Sequence, residues 1–141
     1  MSAEENKALI LHWLEVEQRE GTEVMLDNIY SPACRFPDLA FYGFPPTLDG
    51  YKQFIMVAAD AFSEISNIME VIASEGDTVM TWRTQQANHT GPWRSIPATN
   101  KHISYRIIMC FRLADGKVIE HRFLIDSLSF LQQVGAIPSA G

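Results

Sequence analysis

A chain of 141 residues, 47% hydrophobic and 20% charged, has an ordinary globular composition and enough length for one domain with a substantial core. Its net charge of −6 argues against a nucleic-acid partner, which needs a basic face, and its apolar runs are too short to span a bilayer. Two cysteines, Cys34 and Cys110, are too few for a disulfide scaffold, so a reduced, cytoplasmic setting without membrane association is expected.

The opening "MSAEENKALILHWLEVEQRE" begins acidic and continues amphipathic, which is not the pattern of a secretory signal. Ser2 and Glu5 form an S-x-x-E capping box. Leu9, Ile10, Trp13, Leu14 and Val16 follow at helical spacing, and Gly21 is a stop. Thr22 is the cap expected for a short second helix carrying Val24, Leu26 and Ile29. "SPACRFPD" breaks that helix, and "FYGFPPTLDG" reads as an aromatic loop stiffened by Pro45 and Pro46. A third helix is expected from about Asp49 to Phe62.

The texture then changes. "IMEVIASEGDTVMTWRTQQANH" reads as two strands around Glu75-Gly76-Asp77. "KHISYRIIMCFRLADGKVIEHRFLID" reads as two more around Asp115-Gly116. A last short helix runs from about Ser127 to Val134 and stops at Gly135, before Pro138. Helices, then a meander, then a short helix predict an α+β fold: a curved antiparallel sheet with the N-terminal helices on one face. With no repeat and no linker, residues 1–141 read as one domain.

Chemistry is sparse at this level. His12, His89, His102 and His121 are scattered, with no metal-ligand spacing. No nucleophile elbow, phosphate-binding loop or dinucleotide fingerprint is present, so no cofactor is expected and any activity falls to acid/base or electrostatic groups in a pocket. Strand alternation sorts the run from His102 to Arg112. Ile103, Tyr105, Ile107, Met109 and Phe111 form an apolar face aimed at the helices. Arg106, Ile108, Cys110 and Arg112 form a mixed outer face, too apolar for open water, from which a homodimer is expected. His12 is placed on a helix surface, and His102 and His121 on strand surfaces.

Four segments carry a resemblance: "HTG" (His89 to Gly91), "IPATNK" (Ile96 to Lys101), "FRLADGKVIEHRFLID" (Phe111 to Asp126) and "LSFLQQVGAIP" (Leu128 to Pro138). In combination, the sequence resembles the SnoaL-like polyketide cyclase family. That family sits in a superfamily with ketosteroid isomerase, limonene epoxide hydrolase and nuclear transport factor 2. The resemblance implies a cone-shaped α+β fold around one ligand cavity, and members that are commonly dimers.

It also implies site residues. The family's pocket histidine falls on His89. The aldol-type cyclases' acid/base aspartate falls on Met109, which cannot move a proton, and their glutamine falls on Ala87. Asp126 matches a position where limonene epoxide hydrolases carry an active-site aspartate, but their Arg-x-Asp pair reads Ala87-Asn88-His89 here. What remains is a candidate His89–Asp126 pair, able to shuttle a proton at neutral pH. Candidate ligand-binding residues are Trp13, Phe41, Phe44, Trp82, Trp93, Tyr105, Ile107 and Met109. The bland alternatives are a strand-end hydrogen bond for His89, a helix cap for Asp126 and plain core packing for the aromatics. Two functions stand side by side. One is an isomerase, cyclase or hydrolase acting on a small, apolar, oxygenated molecule; the other is a binding protein that kept the cavity and lost the chemistry.

Overall fold

The computed structural model describes residues 1–139. Helix α1 spans Ala3–Glu20, and its capping box is made in both directions at 3.1 Å: Ser2 Oγ accepts from Glu5 N, and Glu5 Oε1 accepts from Ser2 N. Gly21, with φ of 99°, ends α1 and itself occupies the cap of α2 (Thr22–Ile29), so Thr22 lies inside that helix rather than capping it. Helix α3, Leu48–Ala61, starts where Thr47 Oγ1 accepts from Gly50 N at 3.1 Å. The aromatic loop before it contains a 3-10 helix, Pro37–Tyr42.

The sheet corrects one expectation. "SPACRFPD" does break the helix, but Tyr30–Arg35 then forms a strand, β1, running parallel to β5 (Lys117–Ile125). The full order is β1-β5-β4-β3-β2, with β2 Phe62–Glu75, β3 Thr78–His89 and β4 His102–Ala114. The sheet is therefore mixed, with one parallel pairing beside three antiparallel ones. Pro32 is tolerated because β1 is an edge strand. Strand β2 starts at Phe62, directly after α3, rather than near Ile68. Both anticipated turns are present, at Gly76-Asp77 and Asp115-Gly116.

Register shifts between Ser63 and Ser66, between Met69 and Val71, and between Arg112 and Leu113 bend the sheet around the helices, as bulges do. The curve closes over a core that includes Ile10, Met25, Leu26, Phe36, Leu39, Ile103 and Phe111, all nearly inaccessible. Strand β5 stops opposite Ile107, so the backbone of Ser104 lacks a strand partner on that side. Helix α4 (Ser127–Gln133) supplies one. Gln133 Oε1 accepts from Ser104 N at 2.9 Å, and Gln133 Nε2 donates to Ser104 O at 2.7 Å. No described helix is long and apolar enough to cross a membrane.

Candidate ligand cavity

The bent sheet and the helices enclose a cavity of about 110 Å³. Its roof comes from Tyr42 of the 3-10 helix and from Tyr51, Phe54, Ile55 and Ala58 of α3. Phe62, Trp93, Ser127 and Phe130 close one end. The floor is the inward face of three strands: Arg83 and Gln85 of β3, Tyr105, Ile107 and Met109 of β4, and Phe123 and Ile125 of β5. Alternation produces this floor. The row from Ile103 to Phe111 is buried at every odd position, as its apolar pattern predicts. The ladder then fixes β3, pairing Arg83 with Ile107 and Gln85 with Tyr105.

Polar groups are few and adjacent. Gln85 Nε2 donates to Tyr105 Oη at 2.7 Å, which leaves the tyrosine's own proton free for a ligand oxygen. Burial pushes the Tyr105 phenol up to about 12, so it stays a neutral donor. Burial likewise raises Tyr51 and Tyr42. Arg83 is 8% exposed; its Nη1 lies 3.2 Å from Glu17 Oε1 on α1, and its buried Nε has no partner. A buried donor without a partner costs free energy until something accepts from it. The wall thus offers a phenol O–H beside the Arg83 guanidinium, amid aromatic rings. Its lining includes no carboxylate and no imidazole.

Of the expected ligand-binding residues, Trp93, Tyr105, Ile107 and Met109 line the cavity. The other four do not. Phe41 is 86% exposed, on the outer side of the 3-10 helix whose buried residue is Leu39. Phe44 lies one layer outside the wall, edge-on to Phe54, with Arg94 over its ring. Trp13 packs partly buried on α1, edge-on to His12. Trp82 falls on the outward parity of β3, where Arg106 sits 5.9 Å from its ring.

His89 and Asp126 have separate partners. His89 is fully buried at the end of β3, its Nδ1 2.9 Å from Thr99 Oγ1 and its ring against Phe62, one layer behind the cavity wall. Its backbone ties down the following loop, donating to Lys101 O and accepting from Asn100 N. Burial lowers its pKa, keeping the ring neutral. Next in the motif, Gly91 N and Thr90 N both donate to Ala61 O at 3.0 Å, and a Cβ on Gly91 would meet Asp60 O at 2.0 Å. Asp126 caps α4, its Oδ1 accepting from Ser129 N, and pairs with Arg106 at 2.8 Å. The Arg106 hydrogen bond, then the cap, lowers its pKa. Phe123 and Ile125 face in, so the next even position points out.

His121 is a second correction, because it is buried rather than on a strand surface. The register shift opposite Arg112–Leu113 changes the parity of β5, so Val118 and His121 both face in. His121 Nδ1 is 2.8 Å from Tyr30 Oη, its Nε2 is unpartnered, and Phe36, Tyr51, Phe111 and Phe123 surround it. Sequence reasoning missed it together with Arg83, Gln85, Tyr51 and Glu17. Alternation through "TVMTWRTQQANH", which puts Arg83 and Gln85 on the face of Val79, was the available signal for them.

Among the described residues, no three His, Cys, Asp or Glu side chains are grouped to hold a metal ion.

The model of the SnoaL-like polyketide cyclase family matches residues 9–134. Among solved structures, the chain is similar to AclR, a putative hydroxylase from Streptomyces galilaeus, at 22% identity and a TM-score of 0.80, covering 99% of this chain and 87% of that one. TsrD from Streptomyces laurentii is 26% identical with a TM-score of 0.80, covering 92% and 97%. IdmH, a putative polyketide cyclase from Streptomyces antibioticus, is 18% identical with a TM-score of 0.75, covering 92% and 98%. No curated protein sequence matches the chain.

Proposed function

The chain belongs to the SnoaL-like polyketide cyclase family, and from that membership we propose a cofactor-independent enzyme of the isomerase or cyclase type acting on a small, largely apolar, oxygen-bearing molecule. One observation carries the reading: Arg83, Gln85 and Tyr105 converge on the floor of an otherwise aromatic cavity. A carbonyl oxygen placed there accepts from Tyr105 Oη, with the Arg83 guanidinium beside it. If a water molecule entering the cavity takes the proton from the adjacent carbon, the wall itself holding no carboxylate or imidazole, the same groups stabilise the enolate charge. The family's aldol chemistry is not part of this reading, since Met109 stands at the acid's position. Nor is hydrolysis by a His89–Asp126 pair, since neither residue lines the cavity.

A wall with donors but no carboxylate or imidazole favours a second reading, a carrier that binds the same molecules without turning them over. One experiment separates the two. A panel of aromatic ketones and matching hydrocarbons is screened by thermal shift, then the stabilising ketones are incubated in heavy water and followed by mass spectrometry. Ketones should raise the melting temperature and hydrocarbons should not. Protein-dependent deuterium uptake beside the carbonyl marks the enzyme; binding without uptake marks the carrier. Tyr105→Phe should weaken ketone binding by about threefold to tenfold, the scale of one hydrogen bond. A panel in which no oxygenated compound stabilises the protein rules out both.

A homodimer is part of the same proposal. On the outer face the register aligns Val71, Trp82, Ile108 and Leu124 across four strands, flanked by Met80 and Cys110. Val71 is 54% exposed and Leu124 69%, a band suited to a second copy. Light scattering giving a monomer mass at micromolar concentration would remove it. A cytoplasmic setting is proposed with it, supported by the unpaired Cys34 and Cys110.

A further inference from the structure

A second compartment adjoins the cavity. A groove of about 670 Å³ runs between the α1–α2 junction, α3 and β2, and Tyr51, Ile55, Ala58, Arg83 and Gln85 line both spaces. Those five residues form a threshold, and Arg83 is its charged member. It pairs with Glu17; Glu20 and Glu23 also line the groove, and no other cationic side chain is among the groove's lining residues.

The pairing at the threshold is unequal in what it allows. Glu17 and Arg83 are 15% and 9% exposed at their side chains, with 3.2 Å between Oε1 and Nη1. Arg83 Nε remains buried and unpartnered. A neutral ligand oxygen can accept from Tyr105 while the ion pair stays whole. A ligand carboxylate cannot. It must either take Arg83 from Glu17, leaving that carboxylate largely buried without its partner, or settle beside a like charge. Both are costly in a site shielded from water.

We infer that Glu17 sets the charge specificity of this site: by neutralising Arg83 at the threshold, it admits neutral, oxygen-bearing molecules and rejects carboxylates of the same shape. This rests on the ligand reading of the cavity given above, and it extends that reading to a residue on α1, outside the cavity wall. Exclusion by a paired carboxylate is a specificity device of the repulsive kind, distinct from the attraction supplied by Tyr105.

The test uses two probes that differ in one group, 2-acetonaphthone and 2-naphthoate, titrated against tryptophan fluorescence. The wild-type protein should bind the ketone at least about tenfold more tightly than the carboxylate. Glu17→Gln should raise naphthoate affinity by about tenfold or more, the scale of a charged hydrogen bond, and leave the ketone within about twofold. Glu17→Gln combined with Arg83→Gln should lose the gain. If Glu17→Gln melts without cooperativity, Glu17→Asp carries the test. It keeps the charge, so naphthoate should stay as weak as in wild type, and a tenfold gain there overturns the inference. Unchanged naphthoate binding in a folded Glu17→Gln protein that still takes the ketone also overturns it, as does a gain that survives in the double variant. Failure of wild type to bind either probe removes the cavity reading, and this inference with it.

Discussion

Acid should weaken this fold through one residue, His121. The ring is sealed among Phe36, Tyr51, Phe111 and Phe123, and burial, reinforced by the charge of Arg83, lowers its pKa to about 3. In an unfolded chain an imidazole titrates near about 6.5. The folded state therefore binds fewer protons over that interval. The stability owed to a neutral His121 is fully present above about pH 6.5 and is lost as pH falls towards about 3. One proton costs about 1.4 kcal/mol per pH unit within the window, so a shift from about pH 7.5 to about 4.5 should remove about 2.7 kcal/mol. That is a large share of a typical domain's stability. Urea denaturation followed by tryptophan fluorescence at the two pH values measures it. His89, also lowered by burial, adds in the same direction. Asp126 and Glu5, whose carboxyl groups sit below their usual range, lose their contribution only at lower pH. His121→Gln keeps an acceptor for Tyr30 but does not titrate, so its loss between the two pH values should be less than half that of wild type. Equal wild-type stability at both pH values, or a full loss persisting in His121→Gln, would refute the account.

Other perturbations separate structural from ligand-facing roles. His89→Ala should destabilise the protein by about 3 kcal/mol, because it empties a filled site behind Phe62 and strands Thr99. Per folded molecule it should leave ketone affinity within about twofold, and a tenfold affinity loss with an unchanged melting temperature would return His89 to the site. Gly91→Ala should cost about 1–3 kcal/mol by denaturant titration, since its Cβ meets the backbone oxygen of Asp60 at 2.0 Å. Asp126→Asn keeps the α4 cap but loses the exposed Arg106 pair, so melting should show a change below about 1 kcal/mol and any turnover should persist.

Local signals were legible in the sequence, and long-range ones were not. The Ser2–Glu5 box, Gly21 and the Asp115-Gly116 turn act within a few residues, and each marks the boundary its chemistry dictates. The alternation of Ile103 to Phe111 gave the cavity floor, and with it Tyr105, Ile107 and Met109. Strand β1 left no such mark. Its partner lies in β5, far along the chain, and a parallel pairing has no turn to announce it. His121 was hidden by the register shift, which breaks the period from which a face is read. The polar cluster draws Glu17 from α1, Arg83 and Gln85 from β3 and Tyr105 from β4. Only the closed fold makes those three elements neighbours.

The place of β5 in the sheet has a consequence for how the protein is made. It is the last strand in the chain, yet it lies second from the edge, between β1 and β4. During synthesis the first three helices and β1 leave the ribosome long before anything exists for β1 to pair with. The β2–β3–β4 meander can form as it emerges, but Tyr30–Arg35 waits with open backbone groups until Lys117–Ile125 arrives. Any slowing of translation late in the message lengthens that wait. The exposed segment at risk is then the early edge, next to the apolar faces of α2 and α3, where premature pairing with another nascent chain would begin.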